Sequence, residues 1–210
     1  TSFDIIPVET TQITFRQVLE QSEVRINTFL AGIGEKRSIT LQINLHENAE
    51  AYVKDVSLDA PFEWKRNEYI WLMIEGIAGG TDAYCRELKD ERYQEDPWWK
   101  FEDMISNSRI PQFDQMVEKA KKLNRYWSFR RSAGQPAIIN LAYGLISMTV
   151  AELSGGFVWT EDGAWTYKKF PALPNDFSAW YFQPDVEEEE SFSHWARGNL
   201  RLIPKELNAI

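Results

Sequence analysis

The sequence contains little cysteine and histidine, and both scarcities limit the chemistry available to it. Of its 210 residues, one is cysteine and two are histidine. Cys85 has no second cysteine with which to form an intramolecular disulfide, and a site built from several thiolates is excluded. His46 and His194 lack the paired spacing that is typical of zinc ligands. We therefore predict no metal site, a reducing compartment, hydrogen-bonded or surface histidines, and a buried Cys85 instead of a nucleophile.

Long apolar runs and a positive charge balance are also missing. No apolar stretch approaches the roughly 20 residues that a bilayer-spanning helix needs, and the first residues do not resemble a secretory signal. The protein has 32 acidic and 23 basic residues, a formal charge of −9. This charge repels phosphate backbones and anionic lipids but attracts basic protein surfaces. We expect a cytoplasmic protein with no membrane partner and no direct nucleic-acid partner.

The common catalytic motifs are absent as well. No nucleophile elbow, phosphate-binding loop or dinucleotide fingerprint occurs, so the sequence predicts a protein that is not an enzyme and needs no cofactor. One fragment departs from this pattern, because Glu63-Trp64-Lys65, with Asp55 or Asp59 upstream, resembles the E-x-K half of a metal-dependent nuclease core. Such a tripeptide arises easily by chance, and Asp59 is closer than that core normally allows. A magnesium-dependent nuclease using Glu63 and Lys65 stays an alternative.

Hydrophobic periodicity predicts one α+β domain over residues 1–210. Apolar residues at helical spacing indicate a helix over residues 15–33, and strict alternation indicates a strand over residues 39–45. Further strands are expected near residues 52–58 and 69–74. Residues 137–153 are apolar nearly all round, which is typical of a buried central helix. This order favours an antiparallel or mixed sheet with helices packed against it.

The remaining segments give less regular patterns. Residues 79–110 are expected to be irregular, with short helical pieces. A helix is expected from Pro111 to near Gly134, and its basic residues between 119 and 131 form either a solvated face or a nucleic-acid patch. Asp162-Gly163 between two β-type runs predicts a hairpin. A strand is also expected over residues 178–182.

A family resemblance enters at residues 153–167, LSGGFVWTEDGAWTY. Gly155 and Gly156 follow the apolar helix, and a β-type run, the Asp162-Gly163 turn and Trp165 come next. This order resembles bacterial polymorphic-toxin immunity proteins, specifically the group paired with restriction-endonuclease-fold toxins. The resemblance implies a cytoplasmic α+β protein that binds one cognate toxin and blocks it stoichiometrically without catalysis. The shared glycine, aspartate and tryptophan positions are expected to be structural.

The candidate toxin-binding residues follow from charge. A nuclease holds phosphate with positive potential, so an inhibitor that supplies carboxylates mimics the charge of its substrate. We expect the contacts in the densest acidic stretch and in flanking aromatic anchors. These residues are Asp185, Glu187, Glu188, Glu189, Glu190, Trp180 and Tyr181, followed by Trp98 and Trp99. A solvated glutamate loop and a phage or secretion adaptor are the alternatives, and the sequence does not set the oligomeric state.

Overall fold

A seven-stranded antiparallel sheet organises the computed structural model, which describes residues 1–47, 53–89, 99–165, 167–186 and 189–209. Within these residues, the strands are β1 (Ser2–Ile6), β2 (Leu41–Glu47), β3 (Val53–Lys54), β4 (Glu68–Ile74), β5 (Thr81–Arg86), β6 (Tyr126–Arg130) and β7 (Phe157–Trp159). The helices are α1 (Phe15–Gly32), α2 (Trp99–Asn107), α3 (Phe113–Leu123), α4 (Ala137–Leu153), α5 (Pro174–Trp180) and α6 (Glu190–Leu207), with a 3₁₀ turn at Tyr167–Lys169. Helices pack against the sheet, which confirms the predicted α+β class.

The strand order places β1 between two strands that come late in the sequence. The order is β3-β2-β4-β5-β6-β1-β7, so β1 pairs with β6 on one side and with β7 on the other. Successive side chains of a strand point to opposite faces of a sheet. Ile5 and Ile6 accordingly belong to two separate apolar clusters. We name the face that carries Ile5 the first face and the face that carries Ile6 the second face.

The first face is covered around α4. Every residue of α4 from Ala137 to Ala151 is buried, as predicted for this segment. The helix contacts α1, α5 and α6 as well as β1, β6 and β7, which explains why it is apolar on nearly all sides. Asn140 and Asn199 join α4 to α6 through a 2.7 Å amide hydrogen bond. The main core therefore lies between the sheet and the layer formed by α1, α4, α5 and α6.

The second face has a smaller core under α2 and α3. Its buried members are Ile6, Val8, Phe101, Met104, Phe113, Val117, Ala120 and Phe157. On β2, β4 and β5 the same face carries half-buried polar and aromatic side chains. The rings of His46 and Tyr69 stack at 5.0 Å, and those of Tyr69 and Tyr84 at 5.7 Å. This face is therefore part core and part aromatic surface.

The prediction of a basic helix that extends to Arg131 is wrong. Helix α3 ends at Leu123, and Asn124 adopts a left-handed conformation with φ of 48°. Strand β6 follows, with Trp127 and Phe129 buried on the first face and with Tyr126 against the second core. The alternation within residues 126–130 is a strand signal, and the helical interpretation overlooked it. The basic residues 119–131 thus form no single helical face.

The predicted hairpin and the predicted strand over residues 178–182 are also wrong. Strand β7 pairs with β1, and residues 167–169, which the hairpin would have placed in a strand, form a 3₁₀ turn. After Gly163, β7 meets the backbone only further on, where Val158 forms an isolated antiparallel bridge with Ala172 within the described residues. Residues 174–180 form α5, whose first residue is Pro174, a position that suits proline because the missing N–H has no helical partner there. Strand β5 also lies within the segment expected to be irregular. Among the described residues, no helix has the length and apolar character of a membrane span.

Candidate protein-binding groove

A groove of about 590 Å³ lies between the start of α6 and the loop that follows β7. It is lined by Thr1, Arg131, Gly163, Ala164, Trp165, Lys168, Glu189, Ser191, Phe192 and Trp195. Four separate stretches of the sequence meet here: Thr1 before β1, Arg131 just after β6, the segment from Gly163 to Lys168, and the beginning of α6. We call this feature the α6 groove.

An aromatic wall forms one side of the α6 groove. Trp165 stacks on Phe192 with ring centroids 5.4 Å apart and an angle of 8°, and it meets Trp195 edge-on at 5.7 Å. Phe192 and Trp195 are three residues apart on α6, a spacing that places them on the same helical face. Trp165 is 6% exposed, and its indole Nε1 has no hydrogen-bond partner among the described residues. The wall is thus largely preformed.

The Asp-Gly turn fixes Trp165 in this wall. The Asp162 carboxylate accepts hydrogen bonds from the backbone N–H groups of Ser2 at 3.1 Å and Ala164 at 2.9 Å. The Trp165 N–H donates to the Asp162 carbonyl at 3.1 Å, and the Thr160 hydroxyl donates to the Ser2 carbonyl at 2.8 Å. The turn is therefore tied to β1 and presents Trp165 to α6.

The Gly-Gly turn before β7 has a steric reason. Gly155 has a φ of 57°, a left-handed conformation that favours glycine. A Cβ atom on Gly156 would collide with the carbonyl of Ile6. Both glycines let the end of α4 pass close to β1, so these positions of the 153–167 segment are structural.

Positive charge lies at the floor of the α6 groove. The Arg131 guanidinium lies over the rings of Tyr143 at 5.6 Å and Trp195 at 5.5 Å. Lys168 supplies a second cation, and Glu189, the N-cap residue of α6, supplies a carboxylate. Within the described ranges, neither Arg131 nor Lys168 forms an ion pair. The groove combines aromatic surface with charges of both signs.

A second groove of about 500 Å³ adjoins the first through Lys168, which lines both. Its lining includes Arg109, Lys169, Asp176 and Trp180. The Lys169 ammonium lies 4.9 Å from the Trp180 ring, and Trp180 lies 5.9 Å from Trp165. The two grooves therefore form neighbouring parts of one surface around Trp165, Lys168 and Trp180.

Only some of the predicted toxin-contact residues lie on this surface. Glu189 lines the α6 groove, and Trp180 lines the second groove. Glu190 is exposed at the first position of α6, and the exposed Asp185 forms an ion pair with Arg197 at 2.8 Å. Glu187, Glu188, Trp98 and the side chain of Trp99 lie outside the described residues.

Tyr181 requires a correction, because it is a core residue. Its side chain is 1% exposed, and its hydroxyl donates a 2.6 Å hydrogen bond to the Asn140 carbonyl. Burial and this hydrogen bond to α4 leave it no surface for a partner. It was expected to be an anchor because it flanks the acidic stretch, whereas it is the C-cap of α5.

Several groove residues are not evident from the sequence. The sequence pattern places Arg131 in a basic helix and Lys168 just after a β-type run, and neither position suggests a groove. The aromatic pair Phe192 and Trp195, at a spacing of three within a helical tail, is a usable signal. No local pattern brings either residue next to Trp165, because the contact is tertiary.

The residues of the nuclease alternative are held by separate arginines. Glu63 forms an ion pair with Arg125, and Asp59 forms one with Arg16 at 2.7 Å. The described residues include no cluster of three or more His, Cys, Asp or Glu side chains arranged to hold a metal ion. Burial raises the pKa of the Cys85 thiol, which lowers its thiolate fraction at neutral pH.

Comparison of the sequence and fold with protein-family models, curated proteins and solved structures gives no match in any of the three. The α6 groove and the 153–167 segment overlap at residues 163–165. Both meet at Trp165, which belongs to the segment by sequence and to the groove by position.

Proposed function

We propose that this protein is an immunity protein that binds a cognate antibacterial toxin of the nuclease class and neutralises it by stoichiometric contact. The α6 groove is the observation that carries the proposal. Its aromatic wall and its charged margin at Glu189 match the composition of protein interfaces, in which tryptophan and arginine anchors are enriched. The resemblance of the 153–167 segment to toxin-immunity proteins supports the same role.

The construction of the groove favours binding. Phe192 and Trp195 belong to an 18-residue helix, and Trp165 is held by a turn that is bonded to β1. Side chains that are already ordered lose less conformational entropy when a partner binds. A stable complex buries roughly 1,200–2,000 Å² in total, so the contact extends beyond one groove. The neighbouring surface around Trp180 provides a place for this extension.

Charge supports a basic partner. The net charge of −9 attracts a cationic nuclease domain and speeds its approach. Glu190 and Asp185 are exposed near the beginning of α6, where carboxylates are available to basic residues of the toxin. Since the substrates of a nuclease toxin are inside the cell, the proposal places the protein in the cytoplasm.

Co-expression with a toxin encoded beside the gene tests the proposal. We expect protection of the cells, a purified complex of fixed stoichiometry and a dissociation constant in the nanomolar range, on the order of that of other tight inhibitors. Phe192→Ala is expected to weaken the complex by tenfold or more. Leu202→Ala is the matched control, because Leu202 is an exposed apolar residue on the same helix and does not line the groove.

Three results would overturn the proposal. Neither binding nor protection with any neighbouring toxin gene would remove the immunity role, and a neighbourhood of phage or secretion structural genes would favour an adaptor. Cleavage of DNA or RNA that needs magnesium and vanishes in Glu63→Ala would instead establish the nuclease alternative.

A further inference from the structure

Arg131 is held by aromatic rings and has no carboxylate partner among the described residues. Its guanidinium lies against the rings of Tyr143 and Trp195, and its buried Nε has no acceptor among the described residues. Cation–π contacts of this kind orient a guanidinium without neutralising it. The planar group therefore keeps its capacity for a bidentate hydrogen bond to a carboxylate.

Six other arginines of this acidic protein have carboxylate partners. The pairs are Arg16–Asp59, Arg25–Glu152, Arg37–Glu35, Arg125–Glu63, Arg130–Asp82 and Arg197–Asp185. The contrast is sharpest with the adjacent residue Arg130, whose guanidinium is 2.8 Å from Asp82. With 32 acidic residues in the sequence, a cation that lines a groove and has no carboxylate partner in the described residues marks a place for an external anion.

The surroundings of Arg131 narrow the chemistry of that anion. Lys168 adds a second cation to the same groove, while the half-buried Phe192 and Trp195 present aromatic surface beside the buried Trp165. A carboxylate attached to an apolar or aromatic group satisfies both features at once. Glu189 lines the groove too, and its negative charge disfavours a polyanion such as a nucleic-acid backbone.

We propose that the α6 groove binds a carboxylate carried by an aromatic or large apolar residue of the partner protein, with Arg131 as the bidentate donor and Lys168 as the second cation. The inference rests on the proposed protein-binding role of the groove. A carboxylate of this kind has two sources in a protein, the carboxyl terminus of the polypeptide and an acidic residue beside an aromatic one. The aromatic group packs on the half-buried rings of Phe192 and Trp195 in either case.

Small probes test the inference without the partner. N-acetyl-tryptophan carries a terminal carboxylate, N-acetyl-aspartyl-tryptophanamide carries the carboxylate of its aspartyl group, and N-acetyl-tryptophanamide is the uncharged match. We expect at least one of the two carboxylate probes to bind the full-length protein at millimolar concentration and to shift the indole NMR signals of Trp165 and Trp195. The carboxylate probe that binds more tightly identifies the source of the carboxylate, a carboxyl terminus or an acidic side chain. The uncharged probe is expected to bind at least tenfold more weakly.

Variants of the cations complete the test. Arg131→Gln is expected to weaken binding of the carboxylate probe by tenfold or more. Arg131→Lys keeps the charge but loses the two parallel N–H donors of the guanidinium, so an intermediate loss of affinity is expected. Lys168→Gln provides a second variant at an exposed position. Arg201→Gln is the control, because Arg201 is exposed on α6 and lines none of the grooves described above.

The inference fails if no carboxylate probe binds, if the uncharged probe or inorganic phosphate binds as well as the carboxylates, or if Arg131→Gln changes nothing. These outcomes are separable from failure of the immunity role. Toxin binding that survives Arg131→Gln unchanged would remove the carboxylate site and leave the proposed function. If the carboxylate probes bind but no toxin partner is found, the carboxylate site stands and the immunity role is removed.

Discussion

The two faces of the sheet are built in different ways. On the first face, α4 is buried from Ala137 to Ala151 and rings pack around Phe3. On the second face, a cluster of eight buried residues lies under α2 and α3, and stacked polar rings cover part of the remaining strands. The α6 groove adjoins the first face, because Trp165 contacts Phe3 at 4.9 Å. The binding surface is therefore an extension of the larger core.

The largest effect on stability is expected when a buried phenylalanine is replaced by alanine on each face. Phe3 and Phe157 are both fully buried, but Phe3 has five ring neighbours at 4.7 to 6.0 Å in the described residues, whereas Phe157 has Phe113 at 4.8 Å. We expect Phe3→Ala to lower the free energy of unfolding by about 4–5 kcal/mol and Phe157→Ala by about 3 kcal/mol. Urea denaturation measures both, and equal losses would contradict the ranking of the faces.

A smaller loss is expected when the first core is overfilled. A Cβ atom on Gly144 would collide with the Tyr181 ring, which is buried and bonded to α4. Gly144→Ala should therefore cost about 1–3 kcal/mol despite its better helix propensity. Gly198→Ala on α6 is the control, since nothing lies within 4 Å of its Cβ position, and it should gain up to about 1 kcal/mol. A stable Gly144→Ala protein would show that the core around Tyr181 rearranges easily.

Titration to alkaline pH tests how deeply the tyrosines on the two faces are buried. Burial raises the pKa of Tyr126 to about 12, and it raises the pKa values of Tyr143 and Tyr181 further. A raised pKa in the folded state means that stability is complete below the unfolded value near 10 and falls as the pH rises above it. Each tyrosine contributes a slope of up to about 1.4 kcal/mol per pH unit. Absorbance at 295 nm should show these tyrosines ionising only as circular dichroism reports unfolding, and earlier ionisation would contradict their burial.

The smallest effect concerns Cys85, which packs at the edge of the first core. Burial raises the pKa of its thiol above the ordinary value. Alkylation by iodoacetamide at pH 8 should therefore be at least tenfold slower than that of a free cysteine and should become fast in denaturant. Fast labelling of the folded protein would show that this edge of the first face opens readily.

Sequence patterns predicted the elements whose form depends on their own residues. Helix α1 starts after Thr14, which forms a capping box with Gln17, and α4 is apolar on all sides; both helices were expected. Strands β1, β5 and β6 were not expected. Strand β5 lies in a polar segment, the alternation of β6 was interpreted as the end of a helix, and both partners of β1 are distant in the sequence. In β1, Ser2 pairs with Arg130 and Ile6 with Phe157, and no local window contains such partners.

The residues of the candidate site that local composition reveals were predicted, and those that tertiary contacts bring together were not. Composition identified the acidic and aromatic region after α5, and Glu189 and Trp180 do line the two grooves. The role of Arg131 was not predictable, because its position depends on the end of β6 meeting α4 and α6. Tyr181 was misassigned since an aromatic residue next to exposed positions reads the same whether it anchors a partner or a core.

The position of β1 has a consequence for synthesis of the protein. During translation, Ser2–Ile6 leaves the ribosome before the other strands of the sheet, but its two partners are β6 and β7. Both edges of β1 therefore wait until most of the polypeptide has been made, and the first core cannot close before α4 follows. Folds dominated by such distant pairings fold slowly. The nascent polypeptide exposes the edges of β1 and the side chains of Phe3 and Ile5 throughout this interval, and unpaired strand edges of this kind favour aggregation.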